Sequence, residues 1–229
     1  SLSRIHVENE GRGRRVAKNK VYDHHMIRRL NLIVGLMIAG TGLTSAQTPT
    51  NLDWNKINDE LMKHFQAMVR IDTQDPPGNE TKVVDYIKQV LEAEGIPVTV
   101  AAKDPVRANA IARIKGNGSK RPILLMGHTD TVKVDPSKWT FPPFSAARDG
   151  GYVYGRGVLD NKWQVAAGIE TLLLLKRNKV ALDRDIIFAA EAGEEASTGP
   201  GIEYLVNERW KDIDAEYCLA ESGGVLRQQ

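Results

Sequence analysis

The sequence predicts an α/β fold, a mixed and largely parallel sheet with helices on both faces. Three observations lead there. Short unbroken apolar runs read as buried strands, longer stretches with apolar residues at helical spacing alternate with them, and Gly/Pro breaks between the two are brief. Composition agrees: 229 residues, 41% hydrophobic and 26% charged, are ordinary for a globular chain and exclude collagen-like or wholly disordered readings.

Taken in order, residues 52–71 set Trp54, Ile57, Leu61, Phe65, Met68 and Val69 on one helical stripe, with His64 as an ordinary helical residue. Asp75-Pro76-Pro77-Gly78-Asn79 is a turn, because two prolines and a glycine cannot continue a helix. Residues 83–91 form a second helix, stopped by Gly95. Strands follow at 97–101 and 108–114, and Gly116-Asn117-Gly118 turns the chain into a buried strand at 122–127. Residues 165–180 make a long helix with a wide apolar face (Ile169, Leu172, Leu173, Leu175). A strand at 186–190, a helix at 201–210 and a strand at 217–220 complete the series.

The amino-terminal stretch reads as an address. Met26-Ile27-Arg28-Arg29, the uncharged run 30–43 and Thr44-Ser45-Ala46 are the parts of a secretory signal peptide. The run has 14 residues, whereas a spanning helix needs about 20, so stable membrane insertion is not expected and an uncleaved anchor is the weaker alternative. Export to the periplasm or medium is the expectation. Residues 1–25 precede this methionine and read as non-native or upstream sequence, so His24 and His25 receive no metal. The body, 47–229, shows no internal repeat and no linker-like stretch after residue 50, and reads as α/β throughout.

Charge and cysteine usage exclude other functions. Residues 1–30 hold eight Lys/Arg against three Asp/Glu, which leaves the other 199 residues at −3, so binding to a nucleic-acid backbone is not the expected role. The single Cys218 excludes an intrachain disulfide framework and a thiolate zinc site.

Chemistry concentrates at strand ends, where open α/β sheets collect ligands. The strand 122–127 runs into His128-Thr129-Asp130, the strand 186–190 into Glu191-Ala192-Gly193-Glu194-Glu195, and the strand 217–220 into Glu221-Ser222-Gly223-Gly224. Between the first two, Gly155-Arg156-Gly157-Val158-Leu159-Asp160-Asn161-Lys162 is a glycine turn ending in an acid at a helix start. One imidazole and at least three carboxylates suit divalent metal, and a carboxylate with two oxygens can bridge two ions. Each piece alone has a plainer reading: His-x-Asp as a surface turn, Arg156 as an ion-pair donor, Glu194-Glu195 as a solvated helix start. Their order and placement favour the metal.

Gly127-His128-Thr129-Asp130-Thr131-Val132, Tyr154-Gly155-Arg156-Gly157-Val158-Leu159-Asp160-Asn161-Lys162, Gly193-Glu194-Glu195 and Glu221-Ser222-Gly223-Gly224 resemble the M20 metallopeptidases. These include carboxypeptidases, aminoacylases, acetylornithine deacetylase and succinyl-diaminopimelate desuccinylase. The Asp75-Pro76-Pro77-Gly78 turn and Trp139-Thr140-Phe141-Pro142-Pro143-Phe144 are similar too, and the likeness covers about 55–224. The resemblance implies a zinc-exopeptidase-like domain and two zinc ions, with cobalt or manganese as alternatives. His128 would ligate one ion, Asp160 bridge both, Glu195 ligate the second and Glu221 complete the first. Asp130 would orient His128, and Glu194 would be the general base. The implied substrate is a small peptide or N-acyl amino acid; the rivals are an N-deacylase of a small metabolite and a non-catalytic metal- or peptide-binding relative.

The family also carries a late histidine ligand and an inserted domain that forms a homodimer, and no histidine follows His128 here. The resemblance therefore implies an amino-terminal portion of such a domain, incomplete at its carboxyl end and weak in metal binding and turnover by itself.

Overall fold

The computed structural model describes residues 52–221. The signal-peptide stretch, residues 1–25 and the Ser222-Gly223-Gly224 part of the last motif lie outside the described residues.

The chain first lays down two helices, α1 (Trp54–Val69) and α2 (Thr81–Ala93). Asp53 caps α1 by accepting a hydrogen bond from the Lys56 N–H at 3.3 Å. Strands β1 (Val98–Ala101), β2 (Asn109–Ile114) and β3 (Ile123–His128) follow, then a short hairpin of β4 (Ala147–Asp149) and β5 (Tyr152–Tyr154). After α3 (Lys162–Arg177) come β6 (Ile186–Glu191), α4 (Ile202–Glu208), α5 (Trp210–Ile213) and β7 (Tyr217–Leu219).

Five strands form one sheet in the order β1-β2-β6-β3-β7. β6 and β7 flank β3 in parallel, whereas β2 is antiparallel to both β1 and β6. Four strands therefore share a direction and β2 alone is reversed, the mixed, largely parallel sheet expected. Helices cover both faces. On one, α1, α2 and α3 bury Met68, Val84, Ile87, Leu91, Ile169 and Leu172 against Ala110, Ala112 and Phe188. On the other, Tyr204, Leu205 and Ile213 of α4 and α5 cover Ile111, Leu124 and Ile187. Helix α3 lies close to the sheet because Gly168 has no side chain: a Cβ there would stand 2.3 Å from the Phe188 ring.

The predicted elements are present with three differences. The helix expected at 165–180 starts at Lys162 and ends at Arg177, where Lys179 takes a positive φ of 49°. The helix expected at 201–210 is two helices: Arg209 leaves helical geometry, and its guanidinium turns to Asp212 at 2.7 Å. The β4–β5 hairpin was not anticipated, since each strand has three residues and shows little alternation. Its Asp149-Gly150-Gly151 turn was a legible signal. Among the described residues, no helix is long and apolar enough to cross a membrane.

Candidate metal centre

From β3 the chain passes through α3 to β6 on one side, then through α4 and α5 to β7 on the other. The end of β3 is thus the point where connections diverge, leaving a crevice beyond the strand ends. His128 is the last residue of β3, is paired in register with Glu191 of β6, and is 1% exposed.

His128 is held from both sides. Its Nδ1 lies 3.2 Å from Asp130 Oδ1, and its Nε2 lies 2.8 Å from Asp160 Oδ1. Glu221 Oε2 and Glu194 Oε2 stand 3.8 and 4.0 Å from the same Nε2. Two donor sets share this imidazole, one with Asp160 and Glu195 and one with Glu194 and Glu221; within each, the ligand atoms lie within 4.8 Å of one another. All six residues singled out in the sequence are therefore brought together.

Asp130 does more than touch His128. Fully buried, its Oδ1 and Oδ2 also accept the backbone N–H groups of Glu194 and Glu195, each at 3.0 Å. One carboxylate thus fixes both the imidazole and the loop bearing the two glutamates. That loop turns tightly at Gly193, whose φ of +70° suits glycine and whose Cβ would fall 2.2 Å from the Ser197 carbonyl oxygen. Glu194, exposed, and Glu195, half-buried, sit in this turn rather than at a helix start.

Electrostatics follow from the crowding. Burial alone would disfavour the His128 imidazolium, but Asp130, Asp160 and Glu221 outweigh it and lift its pKa to about 10. Burial raises Glu194 and Glu195, and neighbouring carboxylates add to the rise. Burial would raise Asp130 too, yet its bonds from His128 and the Glu195 and Glu194 amides pull it below the usual range. Burial lifts Glu191 to about 7. The hollow is short of positive charge, and its donor set suits a divalent cation.

Several supporting contacts escaped the sequence reading. Asn161 stands at the N-cap of α3 but makes no capping bond. Its Oδ1 accepts the His128 N–H at 3.1 Å, and its Nδ2 donates to Glu221 Oε2. Lys162, fully buried, donates through Nζ to the Met68 and Ile71 carbonyls at 3.1 and 2.8 Å, tying the end of α1 to the start of α3. Arg107 pairs with Asp75 at 2.7 Å and Glu80 at 2.6 Å and donates to Ser197 at 2.6 Å, anchoring the far end of the Gly193 loop. Arg156 stacks over Trp139 at 5.4 Å, a cation–π contact instead of an ion pair. Asn161 and Lys162 were already part of the glycine-turn motif; Arg107 left no spacing signal, because its partners are 27 and 32 residues away.

Residues 124–229 match the peptidase family M20/M25/M40. Over 156 residues the chain is 34% identical to a probable succinyl-diaminopimelate desuccinylase of Staphylococcus aureus, covering 67% of this chain and 38% of that one. The fold is similar to an M20 family metallo-carboxypeptidase from Sulfolobus solfataricus, with TM-score 0.62 at 24% identity over 73% of this chain and 38% of the other. It is also similar to a Bacillus subtilis protein described as a dinuclear metal binding peptidase, with TM-score 0.54 at 17% identity over 72% of this chain and 43% of the other. The chain spans 34–38% of the length of the curated relatives it matches. It belongs to the M20/M25/M40 peptidase family.

Proposed function

We propose that this chain carries the dinuclear metal centre of a hydrolase that cleaves a peptide or N-acyl amino-acid amide bond. The observation that carries the reading is the convergence of four carboxylates, Asp160, Glu194, Glu195 and Glu221, on the single His128 imidazole. An imidazole flanked by four carboxylates, with no Lys or Arg within ion-pairing distance of them among the described residues, fits a pair of divalent cations of the zinc type, with cobalt or manganese as alternatives.

In this reading His128 and Glu221 would hold one ion, Glu195 would hold the other, and Asp160 would serve both. Bound metal would polarise the substrate carbonyl and bring the pKa of water from 15.7 towards about 7. Glu194, whose raised pKa and part-exposed carboxyl suit proton traffic, takes the proton from the attacking water and returns it to the leaving amine. Asp130 is a positioning residue: it fixes the His128 ring and, through two amides, the backbone that aims Glu194.

The likeness to a desuccinylase supports removal of an N-acyl group from a small amino acid as a second reading with the same machinery. We further propose export through the 26–46 leader, which N-terminal sequencing of the mature protein checks. The decisive experiment is Glu194→Gln in a protein spanning the length of the relatives. Turnover of an N-acyl amino acid or dipeptide should fall about 10²–10⁴-fold while metal content stays at two ions. Unchanged turnover would overturn the assignment of the base, and metal content unaffected by Asp160→Ala would overturn the centre.

A further inference from the structure

Away from the crevice, on the sheet face that α1, α2 and α3 cover, a second group of potential ligand atoms lies between these helices. Glu60 and His64 are one turn apart on α1, and Glu170 faces them from α3; one ligand atom from each lies within 4.8 Å of the others. His64 and Glu170 are each only 4% exposed. Both Glu170 carboxylate oxygens and the His64 Nε2 are buried with no hydrogen-bond partner among the described residues. A buried carboxylate lacking every partner is unfavourable unless it is neutralised or bound.

The remaining contacts orient the group. The Tyr86 hydroxyl of α2 lies 2.7 Å from His64 Nδ1. If Nδ1 keeps its proton for that oxygen, Nε2 presents a lone pair towards Glu60, whose Oε1 is 3.7 Å away. Tetrahedral zinc, with ligands about 2.0–2.2 Å from the ion, separates neighbouring donors by about 3.4 Å. Arg177 grips both Glu60 oxygens at 2.7 and 2.9 Å, fixing that carboxylate and offsetting its charge.

We propose that Glu60, His64 and Glu170 form a second, structural site for a borderline divalent cation of the zinc class, clamping α1 to α3. One imidazole nitrogen and two carboxylate oxygens leave a fourth position to water. The nitrogen selects zinc, cobalt or nickel over magnesium or calcium. The site shares no residue with the crevice and does not rest on the function proposed above.

The test is equilibrium dialysis of the intact chain against zinc in an Asp160→Ala, Glu221→Ala background, which disables the first centre. One ion should remain bound, magnesium should not displace it, and the metal-loaded chain should melt at a higher temperature than the metal-free one. Glu170→Gln, isosteric and uncharged, should abolish binding, and His64→Gln should do the same should Glu170→Gln fail to fold by circular dichroism. Tyr86→Phe, which leaves all three donors in place, should weaken binding about 10–100-fold. Absence of a bound ion in that background would overturn the proposal. So would zinc uptake undiminished by Glu170→Gln, which would mark Glu170 as a protonated buried acid instead.

Discussion

The two ends of the sheet treat charge in opposite ways. At the end where β3, β6 and β7 begin, acids meet bases. Asp185 pairs with Arg113 at 3.0 Å and Lys115 at 2.8 Å, Arg121 with Asp214 at 2.9 Å, and Arg184 with Glu216 at 3.1 Å. At the end where the same strands finish, Asp130, Asp160, Glu194 and Glu221 lie within 4.0 Å of one buried imidazole, and no Lys or Arg pairs with them among the described residues. An end balanced by its own side chains asks nothing of the solvent. The other end gathers carboxylates around a single imidazole, an excess of negative charge that a bound cation would offset, which is why it reads as a site.

The contrast can be broken first at Asp130. Asp130→Ala strips His128 of its orienting carboxylate and leaves the Glu194 and Glu195 amides without acceptors. Divalent-metal affinity, measured by dialysis, should fall about 10–100-fold. The chain should also lose about 1–3 kcal/mol in urea melts. Metal affinity within twofold of wild type would mean that the ring needs no second carboxylate.

The opposite end gives a smaller, pH-dependent effect. Burial would raise the Asp185 pKa, but Lys115, the Gly116 amide and Arg113 outweigh it and hold it at about 2. A folded-state pKa below the unfolded value gives stability that is present above about pH 4 and lost as pH falls towards about 2. Asp185→Asn should therefore cost about 1–2 kcal/mol at pH 7, discounted for the exposed Lys115, and the two melting curves should converge near pH 2. A constant gap across that range would show that the shape of Asp185, not its charge, matters.

Arg121→Ala should do least. Its pair with Asp214 is solvent-exposed on both sides, so the change should stay within about 0.5 kcal/mol. A larger loss would mean that the balanced end acts as a connected network.

Much of this was legible in advance because it is written locally. Residues 123–128 and 186–191 are apolar runs that end in an imidazole and a carboxylate, so both the strands and the polar groups at their ends could be read without knowing their neighbours. Other features were not local. The β4–β5 strands are too short for periodicity to speak, and the break at Arg209 depends on a side-chain turn towards Asp212. The double duty of Asp130 depends on amides 64 and 65 residues away. His64 reads as an ordinary helical residue until α3 brings Glu170 against it.

The sequence by itself determined the alternation of helices and strands, the family, and the six side chains that gather at the strand ends, because apolar period and residue type are properties of consecutive positions. Tertiary structure alone decided which carboxylates share an imidazole, which bases neutralise the far end, and which buried acids remain without a partner. Those outcomes follow from strand order and helix packing, and charge is felt through space across a few ångströms, whatever the distance along the chain.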